Sequence, residues 1–150
     1  MIKRGITIGL VITLGAIACF LIGGSLFRKG SRERILAGGG FHQVAHKGEG
    51  RAAIYKLLNG ERELHLTDFK TEAGQALEVY LISAPDAYEN ETVERSKIVS
   101  LGALKAVEGD QSYILPNDAD LSECRAVTIW SSKYRVNFTT APLKPMTQEM

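Results

Sequence analysis

The spacing of apolar and polar residues divides this chain into two regimes. From Gly5 to Phe27 the sequence GITIGLVITLGAIACFLIGGSLF runs 23 residues without a charge. As a helix rising about 1.5 Å per residue it would extend roughly 34 Å, enough to cross a hydrocarbon core of about 30 Å. Beyond it the pattern shortens to period two: Leu64 and Leu66 alternate with Glu63 and His65, and Leu77, Val79 and Leu81 with Glu78, Tyr80 and Ile82. Period two is the strand period. AVTIW and RVNF continue the series, and Asn59-Gly60 in RAAIYKLLNGERELHL predicts a two-residue hairpin turn with both residues at positive φ. Pro85, Pro116 and Pro142 fall between segments, where they interrupt no ladder. The pattern predicts an all-β domain of antiparallel strands, a sandwich or barrel, preceded by one transmembrane helix.

The boundaries read as an N-terminal anchor over 1–34 with its span at 5–27, a glycine-rich hinge over 35–40, a β domain over 41–145 and a tail over 146–150. Ala16-Ile17-Ala18 before Cys19 fits a small-residue cleavage site and loosely a lipoprotein box. Either processing step would leave Phe20-Leu21-Ile22 at the start of the mature chain, so an uncleaved signal anchor in the cell membrane is expected. Lys3 and Arg4 precede the span and Arg28, Lys29, Arg32 and Arg34 follow it, which by basic-residue counting favours a cytoplasmic C-terminus. The second cluster is simplest as a stop that contacts lipid headgroups.

Charge changes the picture for the domain. Residues 1–34 are net +5, so with a total of +1 the remainder is net −4, which gives no electrostatic footprint for nucleic acid. Cys124 is the only cysteine outside the anchor, so no disulfide can form within the domain. It reads as a half-exposed thiol at a strand entrance, or as one with an intermolecular partner. His42 and His46 stand four apart, but along a strand that is roughly 13 Å, too far for one ion. His65, alternating with leucines, is expected to face solvent. Asn117-Asp118-Ala119-Asp120 lacks the glycine and terminal glutamate of a calcium loop and reads as a turn. No Gly-x-Ser-x-Gly, phosphate loop or nucleophile with an adjacent base is present, so no catalytic residue is assigned and no enzyme is expected. Asn90-Glu91-Thr92 and Asn137-Phe138-Thr139 match the glycosylation pattern.

The segment LGALKAVEGDQSYILP combines Gly102 and Gly109 with the polar Gly109-Asp110-Gln111, then returns through Tyr113 and Leu115 to Pro116. On physical grounds it is a chain corner first and a ligand loop second. Tyr113 and Trp130 read as core or rim aromatics. Together with Gly40-Phe41, His46, Gly50, LTDFKTEAGQALEVYL (with Asp68 and Phe69), the Gly102, Leu104, Lys105, Gln111, Tyr113 and Pro116 pattern, DADLSECRAVTIW and YRVNFTTAPL, the chain from about 38 to 145 resembles the DM-thirteen domain family, also called electron-transfer DM domains. The resemblance implies an extracytoplasmic all-β module, found alone or beside redox and adhesion domains, with electron transfer centred on a cysteine.

The family usually places that cysteine directly after the Ile-Trp pair, where this chain has Ser131 after Trp130. Alternation puts Ser131 on the inward face with Val127 and Ile129, and a hydroxyl cannot supply thiol redox chemistry. Cys124 lies seven residues earlier, about 23 Å away in an extended strand and on the opposite face. The reading is therefore an extracytoplasmic binding or accessory module with the bilayer, and an envelope or redox protein, as partners and no cofactor. Its alternatives are a redox module using Cys124, His46 or a bound haem, and a structural adhesion domain.

Overall fold

The computed structural model describes residues 32–146. The predicted span at 5–27 and the processing site at Cys19 lie outside them; among the described residues no helix is long and apolar enough to cross a membrane. Ten strands follow in order: β1 (Arg32–Gly40), β2 (His42–Gln43), β3 (Gly48–Leu57), β4 (Arg62–Thr71), β5 (Leu77–Ile82), β6 (Ile98–Ala103), β7 (Gln111–Ile114), β8 (Ala126–Ser131), β9 (Val136–Pro142) and β10 (Lys144–Pro145). One helix, α1 (Asn90–Arg95), lies between β5 and β6. The strands form two five-stranded sheets, β10-β1-β3-β4-β7 and β2-β9-β8-β5-β6, with every named pairing antiparallel. This is a sandwich.

The inner faces are those the period-two pattern predicts. Ile54 from β3, Leu64 and Leu66 from β4, Val79 and Leu81 from β5, and Val127 and Ile129 from β8 join one core cluster, each at most 1% exposed. Burying a side chain of this size contributes about 1.5–3 kcal/mol, so this cluster is what holds the two sheets face to face.

At β8 and β9 the outer face of the second sheet is also buried, which alternation does not foresee. All six residues of β8 are buried. The connection from β5 to β6 folds over them: Ala87 and Val93 pack with Ile82, Ala126 and Trp130 in a second cluster. Polar residues under this cover satisfy one another. Thr128 Oγ1 donates to Asn137 Oδ1 at 2.6 Å, Asn137 Nδ2 donates to Thr140 Oγ1 at 2.9 Å, and the Asn137 backbone N–H donates to Asn90 Oδ1 at 2.8 Å. Asn137 is 0% exposed, so its glycosylation pattern is closed off by the fold.

Two expectations about glycine need correction. Residues 35–40 are not a hinge: they belong to β1, where Gly38 pairs with Ala53 of β3 and with Lys144 of β10. A Cβ on Gly39 would stand 1.8 Å from the carbonyl oxygen of Pro142, so the glycine permits close approach of two backbones. The domain accordingly begins before residue 41, and Arg32 and Arg34 of the basic flank already pair with β3. The Asn59-Gly60 hairpin does form between β3 and β4, but through three residues instead of two. Gly60 N donates to Leu57 O at 3.0 Å and Leu57 N to Glu61 O at 2.7 Å, and of the two turn residues Gly60 alone has positive φ, at 87°. That is a type I turn closed by a glycine bulge. Asn59 instead accepts the Glu61 N–H on its side-chain oxygen at 3.0 Å.

Candidate functional site

The residues of the Gly102 to Pro116 pattern converge on one corner, where the chain leaves β6 in one sheet and enters β7 in the other. Gly102 and Gly109 both adopt positive φ, at 94° and 110°, which turns the chain at each end. Leu104 N donates to Leu77 O at 2.8 Å and the Leu104 side chain packs on the core. Between them the Gln111 amide braces the loop: Nε2 donates to Ala106 O at 2.9 Å and Gly109 O at 3.2 Å, while Oε1 accepts from Ala106 N at 3.3 Å and from the Tyr113 hydroxyl at 2.5 Å. The same hydroxyl accepts the Lys105 N–H at 2.9 Å. The Lys105 ammonium donates to Ser112 O and sits 4.9 Å from the Tyr113 ring centre. Burial, opposed by the Lys105 bond, pushes the Tyr113 phenol above its ordinary range. Pro116 ends the return, its carbonyl accepting from Arg62 at 3.0 Å. The polar groups of this loop are used internally, which is the corner reading.

Asp68 serves the same corner from β4. Its φ is 51°, its N–H donates to Asp110 Oδ1 at 2.8 Å, and Gly50 lies against it, since a Cβ there would meet Asp68 O at 2.6 Å. The local irregularity delivers the next residue, Phe69, to the core, 1% exposed and edge-on to Phe41 at 5.1 Å.

The three histidines do not converge. His42 Nε2 lies 2.6 Å from Asp86 Oδ1, and its ring stacks on Tyr88 at 4.5 Å. His46 bonds to Glu72 through Nδ1 and packs 3.9 Å from the Phe138 ring. His65 does not face solvent as expected: it is 7% exposed, with Nε2 2.9 Å from Glu63 and its ring edge-on to Tyr55 at 5.0 Å. It is on the outer face, but two long neighbours cover it. Among the described residues no group of three His, Cys, Asp or Glu side chains could hold a metal ion.

The positions that bear on redox chemistry lie at opposite ends of β8. Ser131 is 0% exposed; its hydroxyl donates to Gln75 O at 2.8 Å and accepts the Tyr134 N–H at 3.3 Å. It pairs with Leu77 of β5. Trp130, one residue earlier, turns to the other face and packs under the β5–β6 connection. Cys124 precedes β8, and here the expectations of half exposure and of the opposite face both fail. Its side chain is 7% exposed and belongs to the inner core, because residues 124–125 are not regular strand and parity does not carry across them. Burial raises the thiol pKa; nearby Arg62 acts against this, while Asp120 and Glu123 add to it. It is the only thiol among the described residues.

A family model described as Electron transfer DM13 matches residues 40–143, more than half of the chain. The chain belongs to the electron transfer DM13 family. No curated protein and no solved structure matches it. The DM13 match opens on Gly40, the last residue of β1, and closes on Leu143 after β9, so it covers the corner, the second sheet and both β8 positions. Within the matched range these residues appear as packing and hydrogen-bonding positions: Gly102, Leu104, Lys105, Gln111 and Tyr113 build the corner, and Asp68 and Phe69 brace it. Residues 32–39, outside the match, supply most of the β1 strand that completes the first sheet.

Proposed function

We propose that this DM13 protein is a membrane-anchored, extracytoplasmic binding or accessory module that does not carry electrons through a thiol. The anchor rests on the 23-residue uncharged stretch from Gly5 to Phe27, and the extracytoplasmic placement on family resemblance. The observation that carries the reading is the state of the two positions around β8. Ser131, in the place where the family resemblance implies a cysteine, has its hydroxyl committed to Gln75 O, and the one thiol among the described residues, Cys124 at the other end of β8, is buried with a raised pKa. Thiol redox chemistry runs through an accessible thiolate, which burial in apolar surroundings suppresses.

Family membership favours a second reading, an electron-transfer module working through Cys124 or a bound haem. A redox titration separates the two. Full-length protein carrying Cys19→Ser is reconstituted in nanodiscs and followed by visible absorption and protein-film voltammetry. The expected result is no reversible couple. A reversible couple that disappears in Cys124→Ser, or one accompanied by a haem absorption band, overturns the binding-module reading.

A further inference from the structure

Where the open ends of the two sheets meet, the sandwich carries a groove of about 550 Å³ with an apolar floor that includes Ile54, Leu121 and Leu143. Small-molecule sites occupy roughly 300–1,000 Å³ and combine apolar walls with a few placed polar groups. Cys124 stands in the wall, and Arg125 and Lys144 line the same groove while no Asp or Glu does. Leu143 N donates to Arg125 O at 2.8 Å, which holds the segments bearing the two basic side chains against each other. Arg125 and Lys144 take part in none of the ion pairs among the described residues. Two cations and no carboxylate beside an apolar trough give the groove a local charge opposite in sign to the net −4 of the region that carries it.

We infer that this groove binds a single-chain anionic amphiphile such as a fatty carboxylate, its chain along Ile54, Leu121 and Leu143 and its head between Arg125 and Lys144. The apolar wall supplies affinity by removing chain surface from water, and the basic pair selects the sign of the head. The inference rests on the binding-module reading and names its ligand class.

Cys124 reports occupancy: it lines the groove and is 7% exposed, so the free protein alkylates slowly and a chain in the groove slows it further. Full-length protein carrying Cys19→Ser, in nanodiscs of neutral phosphatidylcholine, is alkylated with a small maleimide in the presence of dodecanoate or of dodecyltrimethylammonium. Dodecanoate is expected to slow alkylation at least fivefold and the cationic amphiphile to leave it unchanged. The R125Q/K144Q double variant, both positions exposed and outside the core, should lose the protection by dodecanoate. Equal protection by both amphiphiles, protection that survives in the double variant, or no protection at all overturns the inference. So does protection arising from phosphatidylglycerol nanodiscs without dodecanoate, which would assign the groove to the bilayer itself. The redox titration above is independent of these outcomes, so a failed ligand and a failed binding-module reading give different results.

Discussion

The phenol of Tyr113 donates to Gln111 Oε1 at 2.5 Å and accepts the Lys105 N–H at 2.9 Å, so one hydroxyl joins both sides of the corner between the two sheets. Tyr113 is 4% exposed, and removing its oxygen takes the donor from the buried Gln111 Oε1 and the acceptor from the Lys105 N–H. Tyr113→Phe should therefore destabilise the domain by about 1–3 kcal/mol, the scale of a buried polar group left without its partner. Denaturant unfolding monitored by circular dichroism measures it. A change within experimental error would show that the corner is held by Gln111 alone.

The hairpin separates two neighbouring residues. Gly60 has φ of 87° and a Cβ there would meet nothing within 4 Å, so a substitution is strained by the backbone and not by packing. Gly60→Val should cost about 1–3 kcal/mol, the cost of holding a non-glycine residue in a sparsely populated region. Asn59 has no such requirement, and Asn59→Ala should lose only the exposed bond to Glu61 N, about 0.5–1 kcal/mol. Equal effects in unfolding experiments would restore the two-residue turn.

Ser131 tests the chemistry of the β8 end. Ser131→Ala removes the bond to Gln75 O and the acceptor of the Tyr134 N–H, and should lower stability by about 1–2 kcal/mol, the net worth of one or two hydrogen bonds, while leaving binding unchanged. Thermal melts and the dodecanoate protection assay read the two quantities separately. Loss of binding with unchanged stability would move the site to this end of β8.

Alkaline pH should weaken the fold. Burial first, then the hydrogen bond to Glu78 and its charge, push the Tyr80 phenol up to about 12, and burial moves Tyr113 in the same direction. The unfolded phenol titrates near about 10. A group whose folded pKa is raised contributes stability that is complete below its unfolded value and is lost as pH rises through the folded one. Unfolding midpoints should hold below about pH 10 and fall as pH climbs from there towards about 12. Tyr80→Phe should flatten that fall, and an unchanged slope would remove Tyr80 from the account.

Topology sets the two anchor arguments against each other. Four basic residues follow the uncharged stretch and two precede it, which points inward, whereas the family resemblance points outward; Glu33 lies among the four. An alkaline phosphatase fused to the C-terminus should be active. An inactive phosphatase beside an active cytoplasmic reporter would place the domain inside.

Alternation alone was enough for the inner sheet faces. Leu64, Leu66, Leu77, Val79, Leu81, Val127 and Ile129 are the core because period-two patterning is a property of the strand itself and is written residue by residue. The all-β class, the hairpin at Gly60, the family and the inward Ser131 were legible for the same reason: each depends on local pattern or on a contiguous motif. What local pattern cannot carry is what lies above a face or beside an edge. His65 obeys alternation yet is buried, because Glu63 and Tyr55 cover it, and β8 is buried on both sides because the β5–β6 connection folds back over Trp130. The glycines at 38–40 look like a hinge in one dimension, and only their pairing with Ala53, Ala52 and Arg51 of β3 makes them a strand. Cys124 illustrates the limit most directly: face parity holds within a regular strand, and two irregular residues before β8 were enough to turn an expected surface thiol into the core. The groove belongs to the same class, since Leu121, Arg125 and Lys144 flank one cavity with Ile54 only when two sheets from distant parts of the chain close on each other.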